Sequence, residues 1–167
     1  MDVKELLDDE SLDPKKFFDS EKYNTITVSL HAESGFKEND VDTVISLLDE
    51  NLSWEVKDQK LAYIKEKKLN KLLMQAIDES ETNEDKAKLL SICWECGLDF
   101  SSDFLYFVKY ALDDDYMISL EAFTVAENIE ELKEEQLTEA ILCIDQHKNA
   151  DSKIADELKT FIRSKIK

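Results

Sequence analysis

The sequence is poor in the residues that bend or break a chain: its 167 positions hold 2 glycines and 1 proline. A sheet-rich protein of this size needs many residues able to take positive φ at hairpins and bulges, so the shortage argues for helices. It also excludes glycine-rich loops that cradle phosphates. Arginine is nearly missing, Arg163 being the single one among 21 basic residues. Without the forked guanidinium little remains to grip phosphates or base edges, and a net charge of −18 repels nucleic acid at long range. Long apolar runs are missing as well. None approaches the roughly 18 to 20 residues that span a bilayer, so no membrane association is expected. Met1 to Glu10 carries Asp2, Lys4, Glu5, Asp8 and Asp9 around a short apolar pair, unlike a secretory signal. Three cysteines, an odd number, point to free thiols in a reducing, cytoplasmic setting.

What is present is apolar residue at helical spacing. With 43% hydrophobic and 36% charged residues the chain can bury one sizeable core under a well-solvated surface, so a single domain over 1–167 is expected. Its first part, 1–38, is less regular. Asp13-Pro14 is a good helix entry, yet Tyr23 to Ala32 suits either a helix running from Pro14 or a short strand with Ile26, Val28, Leu30 and Ala32 on one face; Gly35 marks its end. Over 39–167 the pattern predicts stacked helical pairs. Val41, Val44, Ile45, Leu48 and Leu52 form one stripe, capped by Asn39 or Asp40. Ser53 caps the next helix. The stripe from Leu69 to Ile77 either continues that helix or follows a break near Lys68.

Thr82 and Asp85 make an imperfect capping box for a helix carrying Leu89, Ile92, Cys93 and Cys96, which Gly97-Leu98 stops. Ser101 or Ser102 opens an element, Phe104 to Leu112, that is apolar almost all round and so the most buried. Three carboxylates sit badly at a helix carboxyl end and well at an amino end, which places a turn inside Asp113-Asp114-Asp115. A helix to Glu127 burying Leu120 and Phe123, one with an acidic start from Glu130, and one from Ser152 complete seven or eight helices.

Four times two apolar or small residues precede an aspartate at a predicted helix end: Leu47-Leu48-Asp49, Ala76-Ile77-Asp78, Ala111-Leu112-Asp113 and Cys143-Ile144-Asp145. The aspartates are 29, 35 and 32 residues apart, about one helical hairpin. From about Val41 to Lys167 this organisation resembles HEAT-like and armadillo-like repeat proteins. That resemblance implies an all-α, right-handed superhelix with curved binding surfaces; the alternative is a compact helical bundle.

No constellation rises to a named chemistry. Cys93 and Cys96 form a C-x-x-C, and Cys143 with His147 a C-x-x-x-H, so a zinc site can be written down on spacing alone. Cys93 and Cys96 belong to an apolar stripe, however, and Cys143 stands where Leu47, Ala76 and Ala111 stand in the other triplets, a place for a small buried residue. Buried thiols are expected, with no cofactor. His31 and His147 lie in no nucleophile motif, and 39 carboxylates guarantee accidental pairs. The triplet at Asp113 lacks the glycine and distal glutamate of a calcium loop.

Two surface features remain. Lys57, Lys60, Lys65, Lys67, Lys68 and Lys71 stand against only Asp58 and Glu66, and on one continuous helix five of them share an arc of about 100°. Asp113, Asp114 and Asp115 beside Tyr116 could anchor a basic partner. The expectation is therefore a non-enzymatic protein-interaction module whose acidic surface selects another protein with a basic surface. An acidic inhibitor, either a nucleic-acid mimic or an immunity or antitoxin type, is the alternative, with an enzyme behind it.

Overall fold

The computed structural model describes Leu30 and residues 36–166. Asp13-Pro14, Gly35 and the helix-or-strand question over Tyr23 to Ala32 lie outside the described residues, apart from Leu30, which is helical and fully buried. The chain is all-α. Among the described residues there are eight α-helices and no strand: α1 (Glu38–Ser46), α2 (Trp54–Lys67), α3 (Asn70–Glu79), α4 (Asn83–Glu95), α5 (Phe104–Tyr110), α6 (Tyr116–Glu127), α7 (Glu134–Asp145) and α8 (Lys153–Lys165). A short 3-10 turn, Ser101–Asp103, leads into α5.

Half of the eight helix starts are made by the local chemistry that the sequence announces. Ser53 accepts from the Val56 N–H, Thr82 from Asp85, and Ser152 from Ala155, each satisfying an amide that the first turn leaves without a partner. Asp115 caps α6 twice over, its Oδ1 accepting from Met117 (2.9 Å) and Ile118 (3.2 Å). The turn thus falls inside the Asp113–Asp115 triplet.

Three local expectations are corrected. First, α1 ends at Ser46, short of Leu48 and Leu52, and neither Asn39 nor Asp40 caps it. The Asp40 carboxylate instead accepts the Tyr63 hydroxyl of α2 at 2.7 Å, a contact that no local pattern encodes. Leu47 and Leu48 leave the helix but stay buried in the turn that follows. Second, Glu130 and Glu131 precede α7 rather than start it; the Gln136 side chain there accepts from the Lys133 N–H. Third, Cys143 is only partly covered, whereas Leu47, Ala76 and Ala111 are buried.

Between Lys67 and Asn70 the chain breaks, so α2 and α3 are separate. Lys68 takes the left-handed conformation (φ +53°), the Leu69 N–H reaches back to the Ile64 carbonyl, and Leu69 is buried as the apolar follower of the helix stop. Gly97 does the same work after α4 with φ +62°, and a Cβ there would meet only the Lys65 Nζ, at 3.3 Å. The two stops predict opposite responses. Lys68→Gly should raise stability by about 0.5–1 kcal/mol and Gly97→Ala should lower it by about 1 kcal/mol, read from urea midpoints, because a side chain is strained at positive φ and glycine is not. Shifts of the same sign in both variants would contradict this account.

The helices pair in sequence and then stack by parity. Hairpins α1–α2, α3–α4, α5–α6 and α7–α8 are each in contact; α1 touches α3, α5 touches α7, α4 touches α6 most extensively of all, and α6 touches α8. The polar contacts repeat the theme. Hydrogen bonds between one hairpin and the next join residues from 27 apart (Trp94 to Glu121) to 38 apart (Lys88 to Glu50), about one hairpin of chain. Between the layers lies a continuous apolar core in which Phe100, Phe104, Phe107, Leu72, Leu73 and Leu90 are essentially inaccessible. Phe107 meets Phe100 edge-on at 4.9 Å and Tyr106 at 5.1 Å, tying α5 to the chain before it.

Candidate protein-interaction surface

The carboxylates of the Asp113 turn are directed largely at their own fold. Asp113 closes the turn by accepting from the Asp115 N–H at 2.8 Å. Asp114 pairs with the Lys148 ammonium and accepts from Asn149 Nδ2, and these contacts, the Lys148 bond foremost, hold its carboxyl below the usual range. Asp115 is held low chiefly by the Ile118 N–H, and it also takes Asn83 Nδ2 of α4 at 3.0 Å. Tyr116 is the free member of the expected anchor, 66% exposed at the first position of α6.

A pH test follows for Asp115. A carboxyl with a depressed folded-state pKa stabilises above its unfolded value, near 4, and loses that contribution as pH falls through the folded value. Asparagine also caps but does not titrate in this range. The stability gap between the wild type and Asp115→Asn should therefore shrink as pH falls from 6 towards 3, measured by urea unfolding at each pH. A constant gap would mean that the charge on Asp115 contributes nothing.

The lysines do not share one helix, because the stop at Lys68 turns the chain. Lys57 pairs with Glu95 of α4. Lys60 is half-buried, and burial holds its ammonium below the usual lysine value against the opposing pull of Asp42. Lys67 lies 5.7 Å from the centre of the Tyr63 ring, Lys68 forms the stop itself, and Lys71 is exposed on α3. Lys65, Lys67, Lys68 and Lys71 thus form a basic corner at the α2–α3 junction rather than a stripe.

Cys93 and Cys96 are buried thiols that donate to the Leu89 and Cys93 carbonyls, and burial pushes both up, Cys93 strongly. Among the described residues no group of three His, Cys, Asp or Glu is placed to hold a metal ion. His147 is half-buried and accepts from the Asn149 N–H. His31 lies outside the described residues.

The feature that sequence reasoning missed is the outer groove between α4 and α6. It has two hollows. One, about 410 Å³ near the amino ends, is lined by Ala87, Ser91 and Met117 with Glu84, Lys88, Asp115 and Glu121. The other, about 470 Å³ where both helices end, is lined by Trp94, Leu98, Val125 and Ile129 with Asp99, Glu130 and Glu131. Between them the Trp94 Nε1 donates to Glu121 Oε2 at 2.8 Å, so the indole is fixed across the groove while 39% exposed. Met117 is 49% exposed. Lys88, the cation among these lining residues, is already engaged by Glu50 and Glu84. The ring had a signal in the sequence: Trp94 falls off the Leu89–Ile92–Cys93–Cys96 stripe and so must point away from the core.

Fold and surface together define an all-helical protein of successive, contacting hairpins with an aromatic, carboxylate-rimmed groove on its outside. No family model, curated protein or solved structure matches the chain. No helix among the described residues is long and apolar enough to cross a membrane.

Proposed function

We propose that this protein is a non-enzymatic interaction module that receives a basic, partly apolar segment of another protein in the α4–α6 groove. The observation that carries this reading is the combination in one groove of exposed Trp94 and Met117 with five lining carboxylates besides the α6 cap Asp115, against one lining lysine, already paired, and two more, Lys65 and Lys165, that reach the rim. Apolar contact supplies affinity, and the charge pattern supplies selectivity and speed of encounter. The parity of helix packing supports a HEAT-like or armadillo-like stack as its framework. A cytoplasmic setting fits thiols that are free at Cys93, Cys96 and Cys143. Interaction is favoured over catalysis because, among the described residues, the buried polar side chains are turned to the fold: Ser80 donates to the Ala76 carbonyl, Ser119 to that of Ala111, and Asp85 accepts from Thr82. It is favoured over mimicry of a phosphate row because the most concentrated carboxylates among the described residues, at Asp113 to Asp115, serve the turn and its neighbours.

Selection of short random peptides displayed on phage tests the proposal. Basic sequences with aliphatic or aromatic neighbours should be enriched, and their affinity should fall steeply with added salt. Enrichment of neutral or acidic peptides, or none, would overturn it.

A further inference from the structure

Resting on that reading, we infer that the hollow where α4 and α6 end is an arginine-side-chain pocket, the specificity element of the groove. Three independent sources make it electronegative. Both helices present their carboxyl ends there, α4 at Glu95 and α6 at Glu127, each carrying roughly half a negative charge from its aligned peptide dipoles. Asp99, Glu130 and Glu131 add carboxylates on the two loops that leave those helices. Trp94 adds an aromatic wall whose N–H is already given to Glu121, leaving the negative π face as its remaining polar capacity.

The chain's own ammonium groups are drawn to this rim. Lys165 reaches the Glu130 carbonyl at 3.4 Å, and the Lys65 Nζ stands over Gly97. A planar guanidinium fits the hollow better than an ammonium, since it can stack on the indole while presenting donors to carboxylates and helix carbonyls at its edges. Volume allows it: about 470 Å³ holds a side chain of that size with room for its stem. A second copy of this chain is a poor occupant, because it brings a charge of −18 and, among its 21 basic residues, a single arginine.

The test uses the best basic peptide from the display selection, labelled and titrated with the full chain by fluorescence anisotropy. Replacing the peptide's arginine by glutamine, or Trp94 by Ala, should weaken binding about tenfold, whereas Trp94→Phe should retain most of it, because the ring face rather than the N–H does the binding. The double variant Glu130→Lys with Glu131→Lys changes only exposed loop positions and should weaken binding by a similar factor, which keeps the test valid if Trp94→Ala fails to fold. If basic peptides bind but these changes alter affinity less than twofold while Met117→Ala abolishes it, the groove reading stands and the arginine pocket is wrong. If no basic peptide binds at all, the groove reading itself has failed. Trp94-dependent dimerisation in sedimentation runs would overturn the proposal in favour of self-association.

Discussion

Phe107→Ala should cost about 3–5 kcal/mol in urea unfolding, with the slope of the transition unchanged, because truncating a fully buried ring removes its transfer free energy and leaves a cavity that neighbours fill only in part. Phe107 is inaccessible to solvent and lies against both Phe100 and Tyr106 in edge-on contacts, so two aromatic pairings go with the ring. Its helix, α5, is also the element through which α6 and α7 are joined. Against a total stability of about 5–15 kcal/mol typical of a domain, such a loss leaves the protein marginal at best. Phe107→Leu keeps most of the volume and should recover more than half of the loss. A cost below about 1.5 kcal/mol for the alanine variant would mean that the helices close over the void and that this ring is not central to the core.

Asp78→Ala is expected to have the largest effect of any surface substitution, about 2 kcal/mol, since one carboxylate oxygen accepts two hydroxyls from the next hairpin: Tyr106 at 2.9 Å and Tyr110 at 2.7 Å. Burial foremost, with the bond to Asp78 and its charge adding to it, pushes both phenols well above their ordinary value, so each remains a donor throughout the neutral range. Tyr106 keeps the Met74 carbonyl as a second acceptor, so Tyr110 is the more dependent of the two. A double-mutant cycle of Asp78→Ala with Tyr110→Phe should return a coupling of about 1 kcal/mol. Additive effects would show that the bond contributes nothing to holding the hairpins together.

Asp78 also shows where reading the sequence stops. The four aspartate-ending triplets mark real helix ends, and their apolar members are buried except for Cys143, yet the aspartates have different roles. Asp49 and Asp113 close turns by accepting from the N–H two residues on, Asp145 pairs with Lys159 of α8, and Asp78 staples two tyrosines. Nothing in the triplets distinguishes these roles, because the deciding partners of Asp78 and Asp145 lie on other helices. The lysine stripe failed for a related reason. Whether Lys67 and Asn70 share a helix depends on a positive φ at a lysine, a conformation stabilised by the burial of Leu69 after it.

The sequence by itself determined that the protein is helical, where most helices start and stop, and which stripes are buried. Capping, stop signals and apolar periodicity act within about four residues, so a one-dimensional pattern contains them whole. Only the tertiary structure decided that Trp94, Glu121, Asp99, Glu130 and Glu131 share one groove and that Asp113 to Asp115 are largely consumed by their own turn. Those outcomes rest on contacts between hairpins, such as the 27 residues separating Trp94 from Glu121, and stacking brings such residues together with no repeated motif to announce it.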